Sequence, residues 1–189
     1  MLTLERTRGQ GRGATAVAAI DPESIELRTA TADDACAIDA LIDEHLAEGH
    51  LLPRDLGEIL VHAHRFVVAV HDGDVVGCAE LAPLSRTVAE VRSMVVSREA
   101  RSHGVGRRLV EELVARAGAA GFGKLCAFAH APAYFVHLGF SIVPHDWLPE
   151  KIATDCRSCT QFRRCGQYAV MRLLDAARQQ CVPLAALHG

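Results

Sequence analysis

Two rhythms of apolar residues alternate along the chain. In the run Glu90–Val96 the β-branched Val91, Val95 and Val96 suit a pleated strand. From Val105 onward, Leu109, Leu113, Val114 and Ala117 recur at helical spacing. A strand, a polar turn and a helix therefore follow one another directly, and Gly118 or Gly121 can end the helix. Ahead of this stretch, Ile25–Arg28 reads as a first strand. Thr31-Ala32-Asp33-Asp34 opens a helix, with Thr31 capping and Asp34 at the third helical position. Its apolar face is Ala35, Ile38, Leu41 and Ile42, and His45 and Leu46 finish it. Pro53 is tolerated in the first turn of a shorter helix that turns Leu56, Ile59 and Leu60 inward. Phe66–Val70 and Val75–Leu81 are strands joined by His71-Asp72-Gly73-Asp74, a tight hairpin. The central strand runs from about Thr87 to Val96 and the long helix from about Val105 to Ala120.

Beyond the long helix come a strand at Lys124–Phe128, a short helix at Ala131–Leu138 and a strand opening at Gly139-Phe140. A polar, Pro- and Cys-containing loop fills 144–165. A last strand at Gln167–Leu174 puts Tyr168, Val170 and Arg172 on one face. The order predicts an α/β fold with a mixed, largely antiparallel sheet flanked by helices over residues 25–175. Residues 1–24, rich in Gly, Ala, Arg and Thr without a period, read as a mobile tail, and 176–189 as a C-terminal tail.

Composition narrows the functional classes. A chain of 189 residues, half of them apolar, suits one domain with a real core. The net charge is −3 and the basic residues cluster instead of covering a face, which argues against nucleic-acid binding. No apolar run is long enough to span a bilayer, and Met1-Leu2-Thr3-Leu4-Glu5-Arg6 lacks the apolar core of a signal peptide. The expectation is a cytoplasmic protein with no membrane partner. Seven cysteines, an odd number, fit a complete disulfide set poorly. Cys36, Cys78, Cys126 and Cys181 lie among apolar residues and read mostly as small buried hydrophobes. Cys156, Cys159 and Cys165 cluster. They are partial zinc spacing that His145 or a partner chain could complete, or free thiols in a loop held by Phe162 and its backbone. The free-thiol reading, without a metal, is the one adopted.

The turn after the central strand carries the chemistry. The first amides of a helix lack intrahelical acceptors, glycine lets a bulky anion approach, and the helix dipole favours negative charge. Arg101, His103, Arg107 and Arg108 add donors, so the bound group is a phosphate or pyrophosphate. A Walker A loop would need Gly-Lys-Ser/Thr, and a dinucleotide fingerprint a third glycine. Both are missing. Arg101-Ser102-His103-Gly104-Val105-Gly106 resembles the acetyl-CoA pyrophosphate loop, Arg/Gln-x-x-Gly-x-Gly/Ala, of the GNAT N-acetyltransferases. The preceding strand, the following helix and the Gly139-Phe140 strand start extend that resemblance across about 25–175. It implies the GNAT fold, acetyl-CoA as co-substrate, and Arg101, Ser102, His103, Gly104, Val105, Gly106 and Arg107 around the pyrophosphate. It also implies that the central strand splays from its neighbour, so that amides of Met94, Val95 and Val96 meet the pantetheine arm and thioester oxygen.

Acetyl transfer to an amine needs a polarised carbonyl, a base and a way to stabilise the leaving thiolate. Related acetyltransferases often use a glutamate on the central strand, commonly through a water, which nominates Glu90. Strand alternation puts Glu90 and Arg92 on one face, opposite Val91, if no bulge intervenes. Glu90 could instead only hold Arg92 or Arg172 in an ion pair. The fork of Arg92 suits a carboxylate. Many members carry a general-acid tyrosine in Tyr-x-x-x-Gly-Phe, but here that place is Phe135. Either the adjacent Tyr134 is adapted to the role or water protonates the thiolate.

Three segments narrow the resemblance. They are Leu51-Leu52-Pro53-Arg54, Glu90-Val91-Arg92-Ser93, and Leu148-Pro149-Glu150-Lys151-Ile152 with the following Asp155-Cys156-x-x-Cys159-x5-Cys165. Together they are similar to the stand-alone N-acetylglutamate synthases of bacterial arginine biosynthesis. That implies L-glutamate as acceptor, with Arg54, Arg92 and Lys151 around its carboxylates, and a homodimer paired through edge strands. On residue type alone Arg54 and Lys151 read as solvated surface charges. The rival readings are a GNAT enzyme for another amine and a catalytically weak acetyl-CoA-binding sensor, which Phe135 keeps open.

Overall fold

The hairpin expected at His71–Asp74 shows how the sheet is assembled. Asp72 and Gly73 both have positive φ, 51° and 93°, the twist-matched turn that joins strand β2 (Phe66–His71) to β3 (Asp74–Pro83). In a computed structural model that describes residues 21–49, 51–159 and 162–174, seven strands form one sheet. The others are β1 (Glu26–Thr29), β4 (Val88–Val96), β5 (Lys124–Ala129), β6 (Ser141–Val143) and β7 (Tyr168–Leu173). Their order across the sheet is β1-β2-β3-β4-β5-β7-β6. Every neighbouring pair is antiparallel except β4 and β5, which run parallel. The expected mixed, largely antiparallel α/β fold is therefore present.

Period-2 alternation in β2 feeds two cores. Val67 and Ala69 join Ala79, Ala89 and Val91 beneath helix α3 (Val105–Ala119), which buries Val105, Leu109, Val110, Leu113 and Ala117. Phe66 and Val68 face the other way, with Cys78 and Val95, onto Ile38, Leu41 and Ile42 of α1 (Ala35–His45) and Ile59 of α2 (Leu56–His62). Leu60 departs from the expectation. It is 43% exposed, because Leu56 and Ile59, three residues apart, make the inward face of α2 and Leu60 lies about 100° round the helix from Ile59.

The start of α1 is built as its sequence suggests, with a 3-10 turn at Ala32–Asp34 leading in. Asp34 Oδ2 accepts from the Thr31 amide at 2.7 Å, and the Arg28 guanidinium grips the same carboxylate at 2.6 and 2.7 Å. Arg28 holds the Asp34 carboxyl down at about 2. A carboxyl with a lowered folded pKa stabilises above its unfolded value and loses that contribution as pH falls towards 2. Asp34→Ala is expected to cost about 1–2 kcal/mol at neutral pH, and progressively less as pH falls through about 2, in denaturant titrations of both proteins.

The stretch 144–165 is not one irregular loop. Turns at His145–Trp147 and Cys156–Ser158 flank the short helix α5 (Pro149–Thr154), and Phe162–Arg164 forms another turn. Pro149 opens α5 at a position where its missing N–H costs nothing. Leu148 anchors the segment, fully buried against Val88, Cys126, Val143 and Ala169. Helix α4 (Pro132–His137) packs against β6 and β7, and its Phe135 stacks edge-on to Phe140 with centroids 5.3 Å apart. Burial pushes the Cys78 and Cys126 thiols up to about 12, whereas Cys36 is exposed and not a core residue. Cys181, the tail over 176–189 and residues 1–20 lie outside the described residues. Asp21–Ser24, expected in the mobile tail, form a capped 3-10 turn.

Candidate active site

Strands β4 and β5 pair only at Val88, Ala89 and Glu90, opposite Lys124, Leu125 and Cys126. Beyond Glu90 they part. A cleft of about 1570 Å³ opens there, lined by Glu90–Val96, the turn after β4, the start of α3, α4 and the α5 segment. Among the described residues β4 has no partner in β5 beyond Glu90, a divergence like the splay the resemblance implies.

A bulge sets what this strand presents. Arg92 lies opposite Glu80 and Val95 opposite Cys78, so Ser93 and Met94 together face Ala79. Ser93 takes φ 49°, a left-handed conformation that costs a residue with a side chain about 1–2 kcal/mol. The bulge breaks the alternation. Met94 and Val96 pack with the α3 core, whereas Val95 packs with α1 and α2. Glu90 and Arg92, ahead of the bulge, keep their shared face.

At one end of the cleft lies the glycine-containing loop over residues 101–106. Ser102 and Gly104 adopt positive φ, 68° and 78°, and turn the chain into α3, whose first residues Val105, Gly106 and Arg107 line the cleft. Arg101 and Ser102 line it too. Arg101 donates through Nε to the Val96 carbonyl at 3.1 Å and through Nη2 to Glu48 at 2.9 Å, an ion pair that holds the Glu48 carboxyl below its ordinary value. His103 turns back to the Arg101 carbonyl at 2.8 Å and is not among the lining residues. Arg108 points elsewhere, donating to the carbonyls of Pro22 and Ile25. Consecutive helical residues diverge by about 100°, so Arg107 and Arg108 cannot share the cleft.

Tyr134 stands over this loop. Its hydroxyl lies where a Cβ on Gly106 would come within 2.6 Å. Burial raises its pKa, and the nearby Arg107 partly offsets that.

At the other end Glu90, 4% exposed, anchors an ion lattice. Lys151 Nζ reaches its two oxygens at 2.6 and 2.8 Å, and Arg92 Nη2 reaches it at 2.8 Å. The same Lys151 and Arg92 groups converge on Asp155 Oδ2, at 2.7 and 2.5 Å. Lys151 also sits over the Phe128 ring, 5.3 Å from its centroid. Burial alone would raise the Asp155 carboxyl, but the Lys151 and Arg92 charges outweigh it and the net shift is downward. Arg92, penalised by burial, is held above its ordinary value by Glu90. Arg172, the other partner considered for Glu90, instead donates to the Leu138 carbonyl at 2.9 Å.

Arg54 is no surface charge. Its side chain is 8% exposed and its Nη1 donates to Glu80 Oε2 and Ser93 Oγ, both at 2.9 Å. Asp155, read in the sequence only as part of a motif, lines the cleft, and Glu80, buried behind it, holds Arg54; neither has a role assigned from sequence. Glu80 could have been flagged as the lone charge in Val-Val-Gly-Cys-Ala-Glu-Leu-Ala, an otherwise apolar strand. Cys156, Cys159 and Cys165 also line the cleft. Among the described residues no group of three or more His, Cys, Asp or Glu is placed to hold a metal, and His145 donates from Nε2 to the Gln167 carbonyl, 3.0 Å away.

Comparison with known proteins agrees with this geometry. Residues 33–140 match the model of the acetyltransferase (GNAT) family. An uncharacterized N-acetyltransferase of Chlorobaculum tepidum is 31% identical over 148 residues, covering 78% of this chain and 96% of that protein. The amino-acid acetyltransferase of Neisseria meningitidis is 31% identical over 136 residues, 71% of this chain but 31% of that protein. N-acetylglutamate synthase from Neisseria gonorrhoeae, complexed with coenzyme A and N-acetyl-glutamate, superposes with a TM-score of 0.72 at 29% identity, over 79% of this chain and 35% of that one. The chain thus spans about a third of the length of the two Neisseria proteins.

Fold and cleft together define an acetyl-CoA-dependent acetyltransferase that acts on an amine. The chain belongs to the GNAT family. Among the described residues no helix is long and apolar enough to cross a membrane.

Proposed function

We propose that the chain transfers the acetyl group of acetyl-CoA to the α-amino group of L-glutamate, the first step of arginine biosynthesis. The observation that carries the reading is the convergence of Arg92 Nη2 and Lys151 Nζ on one carboxylate oxygen, beside the splayed strand. Two cationic donors aimed at one point make a carboxylate seat. Asp155 fills it now. Its side chain is 38% exposed and sits on a short segment, so an incoming carboxylate can displace it more easily than Glu90. The similarity to amino-acid acetyltransferases and to an N-acetylglutamate synthase supports the same acceptor.

In this reading acetyl-CoA lays its pyrophosphate on the start of α3, near Arg101, Ser102, Gly104, Val105, Gly106 and Arg107, and its thioester along Met94–Val96. His103 supports the loop through the Arg101 carbonyl. The substrate ammonium gives a proton to Glu90, directly or through water. The free amine attacks the thioester carbonyl carbon, the C–S bond breaks as the thiolate leaves, and the nitrogen gives up its second proton to that thiolate, relayed through water or Tyr134, to leave the amide. A thiolate with a pKa of about 8.5 is a tolerable leaving group, so water or Tyr134 suffices to protonate it.

Thiol release from acetyl-CoA, measured across free amino acids and simple amines, tests the acceptor. Release should depend on glutamate, and Arg92→Ala should raise the KM for glutamate by roughly ten- to a hundredfold, the value of a charge-assisted bond. Turnover of another amine with none on glutamate would remove the acceptor assignment. Silence with every amine, with coenzyme A still bound, would favour a sensor domain.

A further inference from the structure

We infer that Arg54 is a positioning residue, which acts through Ser93 to hold the β4 bulge and so aims the cofactor-facing backbone. The inference rests on the acetyl-transfer reading and reassigns Arg54 away from the substrate carboxylates.

The bulge needs something to hold it. Ser93 is a side-chain-bearing residue at φ 49°, and a regular strand would relieve that strain by slipping back into register. A slip of one residue would exchange the faces of Met94, Val95 and Val96. The backbone groups that meet the cofactor would turn with them.

Three contacts oppose the slip. Arg54 Nη1 donates to Ser93 Oγ at 2.9 Å. The same nitrogen donates to Glu80 Oε2 at 2.9 Å, and Glu80 is paired with Arg92 at the edge of the bulge. Cys78, at the other edge, donates its thiol to the Ser93 carbonyl at 3.6 Å. Glu80 is 2% exposed, so the Arg54–Glu80 pair is buried and its geometry is well constrained. One guanidinium thus ties the segment before α2 to both strands that form the bulge.

Arg54 lines the cleft, but its Nη1 is engaged twice, and its Nη2 is buried 3.1 Å from Glu58 Oε1, shielded from solvent and without a hydrogen-bond partner among the described residues. Arg92 and Lys151, by contrast, converge on the half-exposed Asp155. The carboxylate seat is therefore theirs, and Arg54 belongs to the strand.

The test separates the two roles by which substrate suffers. Arg54→Ala and Ser93→Ala are each assayed for kcat and for the KM of both substrates, and coenzyme A affinity is measured by calorimetry. A positioning role predicts that both variants lower kcat and weaken acetyl-CoA and coenzyme A by roughly ten- to a hundredfold. The KM of the amine should stay within about twofold. The double variant should add little to Arg54→Ala, because that variant already breaks the Ser93 contact, whereas relative to Ser93→Ala it also loses the Glu80 pair. Arg54→Lys should recover most of the loss, since one ammonium can bridge Glu80 and Ser93.

A rise in the KM of the amine in Arg54→Ala, with coenzyme A affinity unchanged and Ser93→Ala silent, would overturn the inference. Ser93→Ala keeps the buried ion pair, so it decides the matter if Arg54→Ala does not fold. Coenzyme A affinity needs no acceptor, so an error over glutamate would leave this readout intact.

Discussion

Replacing Glu90 is expected to damage the protein twice, and the two losses can be told apart. Glu90→Ala removes the buried anion that Lys151 grips at 2.6 Å and Arg92 at 2.8 Å. Asp155 remains on the outer side, but one half-exposed carboxylate then faces two cations. Breaking a buried pair in this way costs about 3–5 kcal/mol, which urea titration would show as a lower midpoint at unchanged slope. Glu90→Gln keeps the shape and the acceptor contacts at one oxygen, but its NH2 then faces a donor, so its stability loss should be smaller than that of Glu90→Ala without vanishing. As the base for the substrate ammonium, Glu90 is worth about 10²–10⁴ in kcat. Glu90→Gln should lose that factor while the KM values for acetyl-CoA and the amine stay close to wild type. A rise in the KM of the amine with kcat preserved would mean that Glu90 only holds Arg92 and Lys151 in place. The structure makes that alternative concrete, because both Glu90 oxygens already accept from Lys151.

What the sequence disclosed follows from the range over which each feature is encoded. The Asp72-Gly73 turn, the cap at Asp34 and the periodicity of α3 are local, and each appears where short-range rules put it. The glycine loop belongs to the same class. Its family resemblance was legible because strand, turn and helix are contiguous. The ion lattice was not legible. Lys151 and Glu90 lie 61 positions apart, and Asp155 and Arg92 lie 63 apart, so their pairing depends on where α5 folds back. Glu80, from a third strand, needed the register of β3 to be placed at all. The bulge at Ser93 had no signal, since serine in a valine-rich strand predicts an ordinary extended residue. That omission mattered, because a straight strand would have put Glu90, Arg92, Met94 and Val96 on one face. The segment after Pro144 failed for a different reason. Leu148-Pro149-Glu150-Lys151-Ile152 carries a helix start, but its polar surroundings masked the single apolar residue, Leu148, that anchors it.

Gly106→Val is expected to abolish coenzyme A binding while leaving the fold intact, and the reason can be divided between two causes. Glycine inside a helix is unfavourable by roughly 0.5–1 kcal/mol relative to alanine, so propensity alone would favour a replacement. Two steric facts oppose it. A Cβ at Gly106 would come within 2.6 Å of the Tyr134 hydroxyl and 3.6 Å of its ring carbon. It would also stand on the opening turn of α3, where an anion must approach the free amides. Tyr134 is 39% exposed and can swing outward, so the clash itself should cost little stability. The blocked approach cannot be relieved in that way. Calorimetry should therefore show coenzyme A affinity falling by about a hundredfold or more in Gly106→Val, with the melting temperature within a few degrees of wild type. Gly106→Ala paired with Tyr134→Ala separates the causes. If the pair still binds coenzyme A poorly, the amides need the glycine. If binding returns, the glycine exists to seat Tyr134, and the α3 start is not the anion site. The first outcome is expected, because Gly104 presents the same turn to the cleft and a Cβ there would meet nothing within 4 Å, so Tyr134 does not account for the glycine at that position.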